Sequence, residues 1–311
     1  MSDLIKVNQI SVDKNMRVSD LLDQFDESGV LGAGRVARAC NILVDMIQDE
    51  DMNVFLSLGG PLIPGGMRNI VTKMINEGHV NLIVSSGANI THDLVEAFGG
   101  SHYRHEGKDD EELNEEGIGR IADINVGSDD FTIFESEITK IFEKISEKKK
   151  IVSIQELLHE IGLLVEDENS FVATAARNNV PIFAPGLIDS MMGLQLWIFS
   201  QDHDFTVSAA GDMPLLSDIV FSSEKVGAVL LGGGLTKHYT LASNVITGGL
   251  DAAIQITMDR PEAGSLGGAP LEEAKSWAKA RCGSSLASVV GDVTVIFPLI
   301  YAAALDRISS D

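Results

Sequence analysis

The sequence predicts an α/β fold, with a mostly parallel central sheet, helices on both faces and a helical insertion. Three observations carry this expectation. Six short apolar runs lie along the chain, and four of them end in glycine or another small residue. Segments with helix-period apolar spacing separate the runs. The runs are continuously apolar and do not alternate with polar residues, as strands covered on both faces require.

In chain order, residues 53–58 read as the first strand, followed by a glycine loop at 59–66 and a helix over 67–77. Residues 80–85 are the second strand, leading through Ser86-Gly87-Ala88-Asn89 into another helix. Residues 181–184 are the third and enter Pro185-Gly186; residues 226–231 are the fourth and enter Gly232-Gly233-Gly234. Residues 251–257 and 287–291 complete the set. Right-handed crossovers are expected between parallel neighbours. Between the second and third strands the pattern changes. Residues 105–116 are dense in Asp and Glu and read as a solvated face. Residues 131–150 have an amphipathic helical pattern, and Ser153 with Glu156 forms a capping-box pattern. This region, about 101–170, is read as a helical insertion. The organisation expected is an N-terminal extension at 1–20 and a single α/β domain at 21–311.

The 311 residues are 44% hydrophobic and 22% charged, a globular composition. The net charge of −23 disfavours phosphate backbones, so nucleic acid is not an expected partner. The same charge suits a cationic small molecule or a protein that offers a lysine. Two cysteines without a Cys/His cluster exclude a structural zinc site and a disulfide framework, and no metal is expected. No apolar run reaches the roughly 18–20 residues of a membrane span, and no signal-peptide pattern opens the chain, so a cytoplasmic protein is expected.

Ligands of open parallel sheets bind beyond the carboxyl ends of the strands. Glycine there lets backbone N–H groups approach a phosphate, and a following helix N-terminus favours its charge. The pattern is Rossmann-like, although neither GxGxxG nor GxxxxGK[ST] occurs. Tight βα turns without a ligand would show the same glycines. Lys237-His238 follows the triple glycine, Asp189 follows the third strand and Asp292 the sixth. His238 is better placed than His79, His102, His159 or His203 to reach the mouth of the sheet. After the fifth strand, the glycine-rich segment 259–270 enters a predicted helix over 271–280. On such a helix Glu273, Trp277 and Ala280 share a face, with Lys279 beside it. A lysine packed beside a tryptophan loses solvation, which favours the neutral amine that an imine-forming nucleophile requires. An amphipathic helix with a buried tryptophan and a lysine reaching for water fits the same spacing.

The ordered set Val229–His238, Gly264–Ala269, Glu273–Lys279 and Gly291–Leu299, with upstream matches at 56–68, 85–93 and 181–199, resembles the deoxyhypusine synthase family, closest to its archaeal members. The resemblance covers most of the chain from about residue 20. It implies NAD-dependent transfer of the aminobutyl group of spermidine, through an enzyme-lysine imine, to one lysine of the translation initiation factor 5A precursor. Carried over, Lys279 forms the imine and His238 is the general base. Glu273, Trp277, Gly264, Ser265 and His92 meet the substrate. Gly60, Leu62, Ser86, Gly87, Asp189, Gly233 and Asp292 meet NAD. The resemblance also implies a homotetramer, a dimer of dimers with sites at a dimer interface. This chain has Ala278 where the family has glycine in Ser-Trp-Gly-Lys, Gly60-Pro61-Leu62 for Ser/Thr-Asn-Leu, and Gln255 on the fifth strand. Aminobutyl transfer to a small diamine, as in a homospermidine synthase, and a catalytically silent regulatory paralogue are the alternatives.

Overall fold

The computed structural model describes residues 4–308. The start of the predicted extension, residues 1–3, and the end of the chain, residues 309–311, lie outside the described residues. Residues 4–17 carry no helix or strand, and the first helix is Val18–Ser28. The six predicted strands are β1 (Met52–Leu58), β2 (Leu82–Ser85), β3 (Ile182–Phe183), β4 (Lys225–Leu231), β5 (Leu250–Thr257) and β6 (Ala280–Val290). The fold is α/β, with mostly parallel strands and helices around them. The chain divides into two compact units, Met1–Ser57 with Ile219–Asp311, and Leu58–Asp218.

In the first unit the strand order is β6-β5-β4-β1. β5 is parallel to both neighbours, with Ile254 opposite Val229 on one side and Ala287 on the other. β4 and β5 are buried almost end to end, which explains their unbroken apolar runs. Helix Leu31–Gln48 packs on β5 and β6 through a stripe that includes Val36, Cys40, Leu43 and Met46. Gly227 on β4 lets the helix approach, because a Cβ there would lie 2.6 Å from Met46 Sδ. β6 begins seven residues earlier than predicted. Its first half, Ala-Arg-Cys-Gly-Ser-Ser, is a polar, half-exposed end strand with a register shift opposite Leu250 and Ala252. It therefore lacks the apolar run by which a strand is recognised.

In the second unit β2 runs parallel to β3, Ile83 opposite Ile182. The inserted region holds helices Asp110–Glu115 and Ser128–Ser146, and also a small antiparallel sheet of His102–Arg104, Ile124–Gly127 and Ile118–Ile121. That sheet was not expected. Its strands have three or four residues each, and the hairpin turns at Ala122, which takes φ 53° without glycine. In the acidic helix only Leu113 is buried. Ser153 Oγ accepts from Glu156 N at 3.1 Å and caps helix Ile154–Leu164, while the Glu156 carboxylate pairs with Lys149 and does not close a capping box. The interior is tied together by Asp93, wholly buried on helix Gly87–Ala97. It accepts from Arg68 Nε at 2.7 Å, Ser170 Oγ at 2.6 Å, and the amides of Phe171 and Val172 at 3.1 and 3.2 Å.

Candidate active site

In the first unit, β4 turns through Gly232 (φ 87°), Gly233 and Gly234 (φ 68°) into helix Gly234–Ser243. Left-handed φ values favour glycine at the outer two positions. Gly233 is required for a different reason: a Cβ there would stand 2.4 Å from Gly267 Cα. The loop after β5 therefore meets the loop after β4 glycine on glycine. Gln255 fastens the two, donating from Nε2 to Gly232 O at 3.2 Å and Gly267 O at 2.8 Å.

Beside this junction lies a cavity of ≈ 340 Å³ lined by His238, Glu273, Trp277 and Lys279, together with Lys237 and apolar surface from Leu241, Leu266 and Ala274. Four of the predicted residues are thus brought together, but not by the predicted helix. Residues Leu271–Trp277 form a 3-10 turn, and the chain reverses at Ala278, which sits left-handed at φ 55°, ψ 25°. Glu273, Trp277 and Ala280 share no helical face. A 3-10 turn repeats every three residues, and a left-handed residue ends it. Lys279 lies beyond the turn, where its N–H donates to Ala274 O at 2.9 Å and its carbonyl accepts from Leu250 N at 3.0 Å. Pinned on both sides, it returns its Nζ to 5.6 Å from the Trp277 ring centroid. Trp277 is 65% exposed, not buried. Gly264, at φ 65°, and Ser265 begin the loop that walls the cavity through Leu266 and Ala269.

Lys237 is the residue that sequence reasoning did not assign. It is 2% exposed, and its Nζ donates to Leu266 O at 2.9 Å and Ala269 O at 2.6 Å. Burial pushes its pKa down to about 8, aided by the charge of Lys279 and opposed by Glu273 and Asp259. The only sign in the sequence was its place before His238, because both of its partners lie about thirty positions downstream. Asp292 is exposed and caps helix Val293–Ile308, its Oδ1 accepting from Thr294 N and Thr294 Oγ1, each at 2.7 Å. Those bonds hold its carboxyl below the usual carboxylate range.

In the second unit, the loops after β1, β2 and β3 interlock. Asn89 accepts from Ile63 N at 3.0 Å and donates to Leu58 O at 3.3 Å. Ser86 Oγ caps helix Gly87–Ala97 through Asn89 N. At Gly87 a Cβ would lie 2.6 Å from Ser190 Oγ and 2.9 Å from Leu187 O, so the turn carrying Asp189 rests directly on this glycine. Gly60, at φ 73°, has open space around its missing side chain, and Leu62 is buried. Gly60, Leu62, Ser86, Gly87 and Asp189 therefore belong to one interlocked set of strand ends. His92 is 8% exposed, and burial pushes its pKa down to about 4, helped by neighbouring His102, so it is neutral at pH 7. Its Nδ1 lies 2.8 Å from His102 Nε2, and His102 Nδ1 lies 2.7 Å from Glu96 Oε1. A carboxylate accepts, so His102 donates to Glu96 from Nδ1, and its Nε2 faces His92 Nδ1. Among the described residues no group of three His, Cys, Asp or Glu side chains is placed to hold a metal ion, and no helix is long and apolar enough to cross a membrane.

A family model described as deoxyhypusine synthase matches residues 20–304. The chain belongs to the deoxyhypusine synthase family. It is 56% identical over 305 residues to a probable deoxyhypusine synthase of Methanothermobacter thermautotrophicus, covering 98% of this chain and 99% of that one. It is 42% identical to a probable deoxyhypusine synthase of Methanopyrus kandleri, covering 94% and 96%. Among solved structures, one from Entamoeba histolytica assigned to deoxyhypusine synthase superposes with a TM-score of 0.68 at 19% identity, covering 97% of each chain, and supports the fold. As a deoxyhypusine synthase family member, the protein is an enzyme, a transferase. The cavity described above falls entirely within the matched residues.

Proposed function

We propose that this protein transfers the aminobutyl group of spermidine to a lysine of the translation initiation factor 5A precursor in hypusine biosynthesis, using NAD, with Lys279 as the imine-forming residue. The observation that carries this reading is the convergence of Lys279, Trp277, Glu273 and His238 on one cavity in a chain of this family. Glu273 holds an ammonium end of the polyamine, and Trp277 covers its methylenes and cationic nitrogen. His238 takes the proton of the secondary amine. Lys279 bonds to the oxidised carbon, retains the aminobutyl group and yields it to the acceptor lysine. Gly264 and Ser265 border the entry of the polyamine, and His92, held neutral by burial, meets the substrate.

The chemistry NAD supplies when bound is reversible acceptance of a hydride. Gly60, Leu62, Ser86, Gly87, Asp189, Gly233 and Asp292 are assigned to hold it. The chain fits an anionic group there: Gly60 is open around its Cα, and the first turn of helix Gly87–Ala97 carries no acidic residue. Asp189, exposed, suits a ribose hydroxyl. The assembly is a homotetramer in the cytoplasm. Supporting self-association, Leu194, Trp197 and Ile198 form an exposed apolar stripe at i, i+3 and i+4 of helix Met191–Asp202.

The test is borohydride trapping with NAD and labelled spermidine, followed by peptide mapping. Wild type carries label on Lys279. Lys279→Arg keeps the fold and NAD binding but carries none, because a guanidinium does not deprotonate at usable pH. Adding the purified factor precursor moves label to it, whereas putrescine does not collect it. Label on the Arg variant's other lysines at the wild-type level overturns the assignment of Lys279, and transfer to putrescine alone overturns the acceptor.

A further inference from the structure

Lys237 is a buried cation that the reaction outlined above leaves without a task. Among the described residues its Nζ makes two hydrogen bonds, both to backbone carbonyls, Leu266 O and Ala269 O. No carboxylate of the described residues lies within ion-pair distance of it. A lysine nitrogen has three positions beyond its carbon bond. Two are fixed by carbonyls, which accept equally from an ammonium or an amine. The third faces no protein acceptor, and the residue lines the cavity shared with Lys279. That third position is an N–H when Lys237 is charged and a lone pair when it is neutral, while the two anchoring bonds persist in both states. The geometry is that of a proton carrier whose position does not depend on its protonation.

We propose that Lys237 is the acid and base that forms and discharges the Lys279 adduct. This rests on the reading of Lys279 as the imine-forming lysine. On loading, Lys279 nitrogen and the donor's own nitrogen are both bonded to the same carbon. The Lys237 ammonium gives a proton to the donor nitrogen, and the carbon–nitrogen bond breaks with its electron pair leaving on the departing amine. The Lys279 nitrogen lone pair then completes the C=N bond, which now carries the positive charge. Lys237 is left neutral. On discharge, the neutral amine takes a proton from the incoming acceptor ammonium, whose freed lone pair attacks the same carbon while the C=N electron pair returns to the Lys279 nitrogen. The recharged Lys237 gives a proton to that nitrogen and takes one from the acceptor nitrogen. The bond from carbon to Lys279 then breaks with its electron pair on the departing Lys279 amine, and the acceptor nitrogen's lone pair completes the new C=N bond. No further oxidant or reductant enters these two steps.

The charged and titratable groups around Lys237 are Glu273 on the 3-10 turn, Asp259 after β5, Lys279 before β6, and His238 beside it on its own helix. With burial outweighing the two carboxylates, its pKa of about 8 lies near working pH, where one group serves best as both acid and base.

Butanal with cyanoborohydride tests the step without NAD or spermidine. Loss of the carbinolamine hydroxyl as water requires the same proton, and reduction fixes the adduct. Initial labelling of Lys279 is measured by peptide mapping from pH 6.5 to 9.5, with exposed Lys140 as internal standard. In wild type the Lys279 rate bends near pH 8. Lys237→Arg retains a cation and donors for the carbonyls but cannot pass on a proton, and labelling of Lys279 falls about 100-fold while Lys140 is unchanged. Lys237→Met, close in shape, loses both the rate and the bend. Lys279 labelling at the wild-type rate in Lys237→Arg, or a bend near pH 8 that survives in Lys237→Met, overturns the proposal and leaves Lys237 as a bolt for the 264–270 loop. Wild-type protein unlabelled at Lys279 while Lys140 reacts overturns the assignment of Lys279, and this proposal with it.

Discussion

Arg68 and Lys237 are both buried cations, and the difference between them separates a charge that holds the fold from one that is free to react. Arg68, 8% exposed, faces three carboxylates: Asp93 and Asp167 at 2.7 Å each and Glu96 at 3.4 Å. Lys237, 2% exposed, has two carbonyls and a cavity. Burial alone therefore does not mark a functional residue. Compensation does. A cation with its carboxylates in place gains nothing by losing a proton, whereas one held only by neutral dipoles in low dielectric is close to doing so.

Removing the compensation at Arg68 gives the largest expected effect. Asp93→Ala deletes the main partner of Arg68 and also three further accepted hydrogen bonds, two of which satisfy the first amides of helix Phe171–Arg177. Breaking a buried pair by removing one member costs about 3–5 kcal/mol. Urea unfolding should show a loss in that range, and a loss under about 1 kcal/mol would show that Asp167 and Glu96 suffice for Arg68.

Lys237 sharpens the contrast through pH. Its pKa in the folded protein, about 8, lies below its ordinary 10.5. Between those values the unfolded chain binds the extra proton, so stability rises with pH across this window. Below pH 8 the burial penalty is fully present. The gain across the window approaches about 3 kcal/mol, from 1.36 kcal/mol per pKa unit. The measurement is the difference between wild type and Lys237→Met in urea unfolding from pH 7 to 10, which cancels the surface lysines. A difference that stays flat over that range would mean that Lys237 is no more reluctant to be charged than an exposed lysine.

Much of this was legible in the sequence, and what was not has definite physical causes. β1, β2, β4 and β5 are buried on both faces, so their apolar runs were sufficient to place them. The 102–127 sheet was missed because strands of three or four residues beside an acidic run give no usable period. The members of the Lys279 cavity were found, but the element that gathers them was misread. The segment 271–280 has helical composition, and nothing in its periodicity reveals that the chain reverses at an alanine. Lys237 was invisible for a further reason: its environment consists of backbone carbonyls, and any sequence at 266 and 269 supplies those.

The reversal at Ala278 yields the smallest prediction. An L-residue in the left-handed region costs roughly 1–2 kcal/mol, since Cβ crowds the adjoining carbonyl. Ala278 occupies φ 55° at the end of the 3-10 turn and is exposed, so no packing of its methyl group offsets that cost. Glycine at this position, as in the family pattern, removes the strain but loses more entropy on folding, about 0.4–1 kcal/mol. The strain term is the larger, so Ala278→Gly should stabilise the protein by about 0.5–1 kcal/mol in urea unfolding. Labelling of Lys279 should stay within twofold, because the bonds that fix it, to Ala274 O and from Leu250 N, are backbone bonds that glycine retains. If stability rose but labelling fell, the alanine would be holding the turn at the angle that sets Lys279 over Trp277, and its strain would belong to the site. If stability fell instead, the entropy of the free chain would outweigh the left-handed strain at this turn.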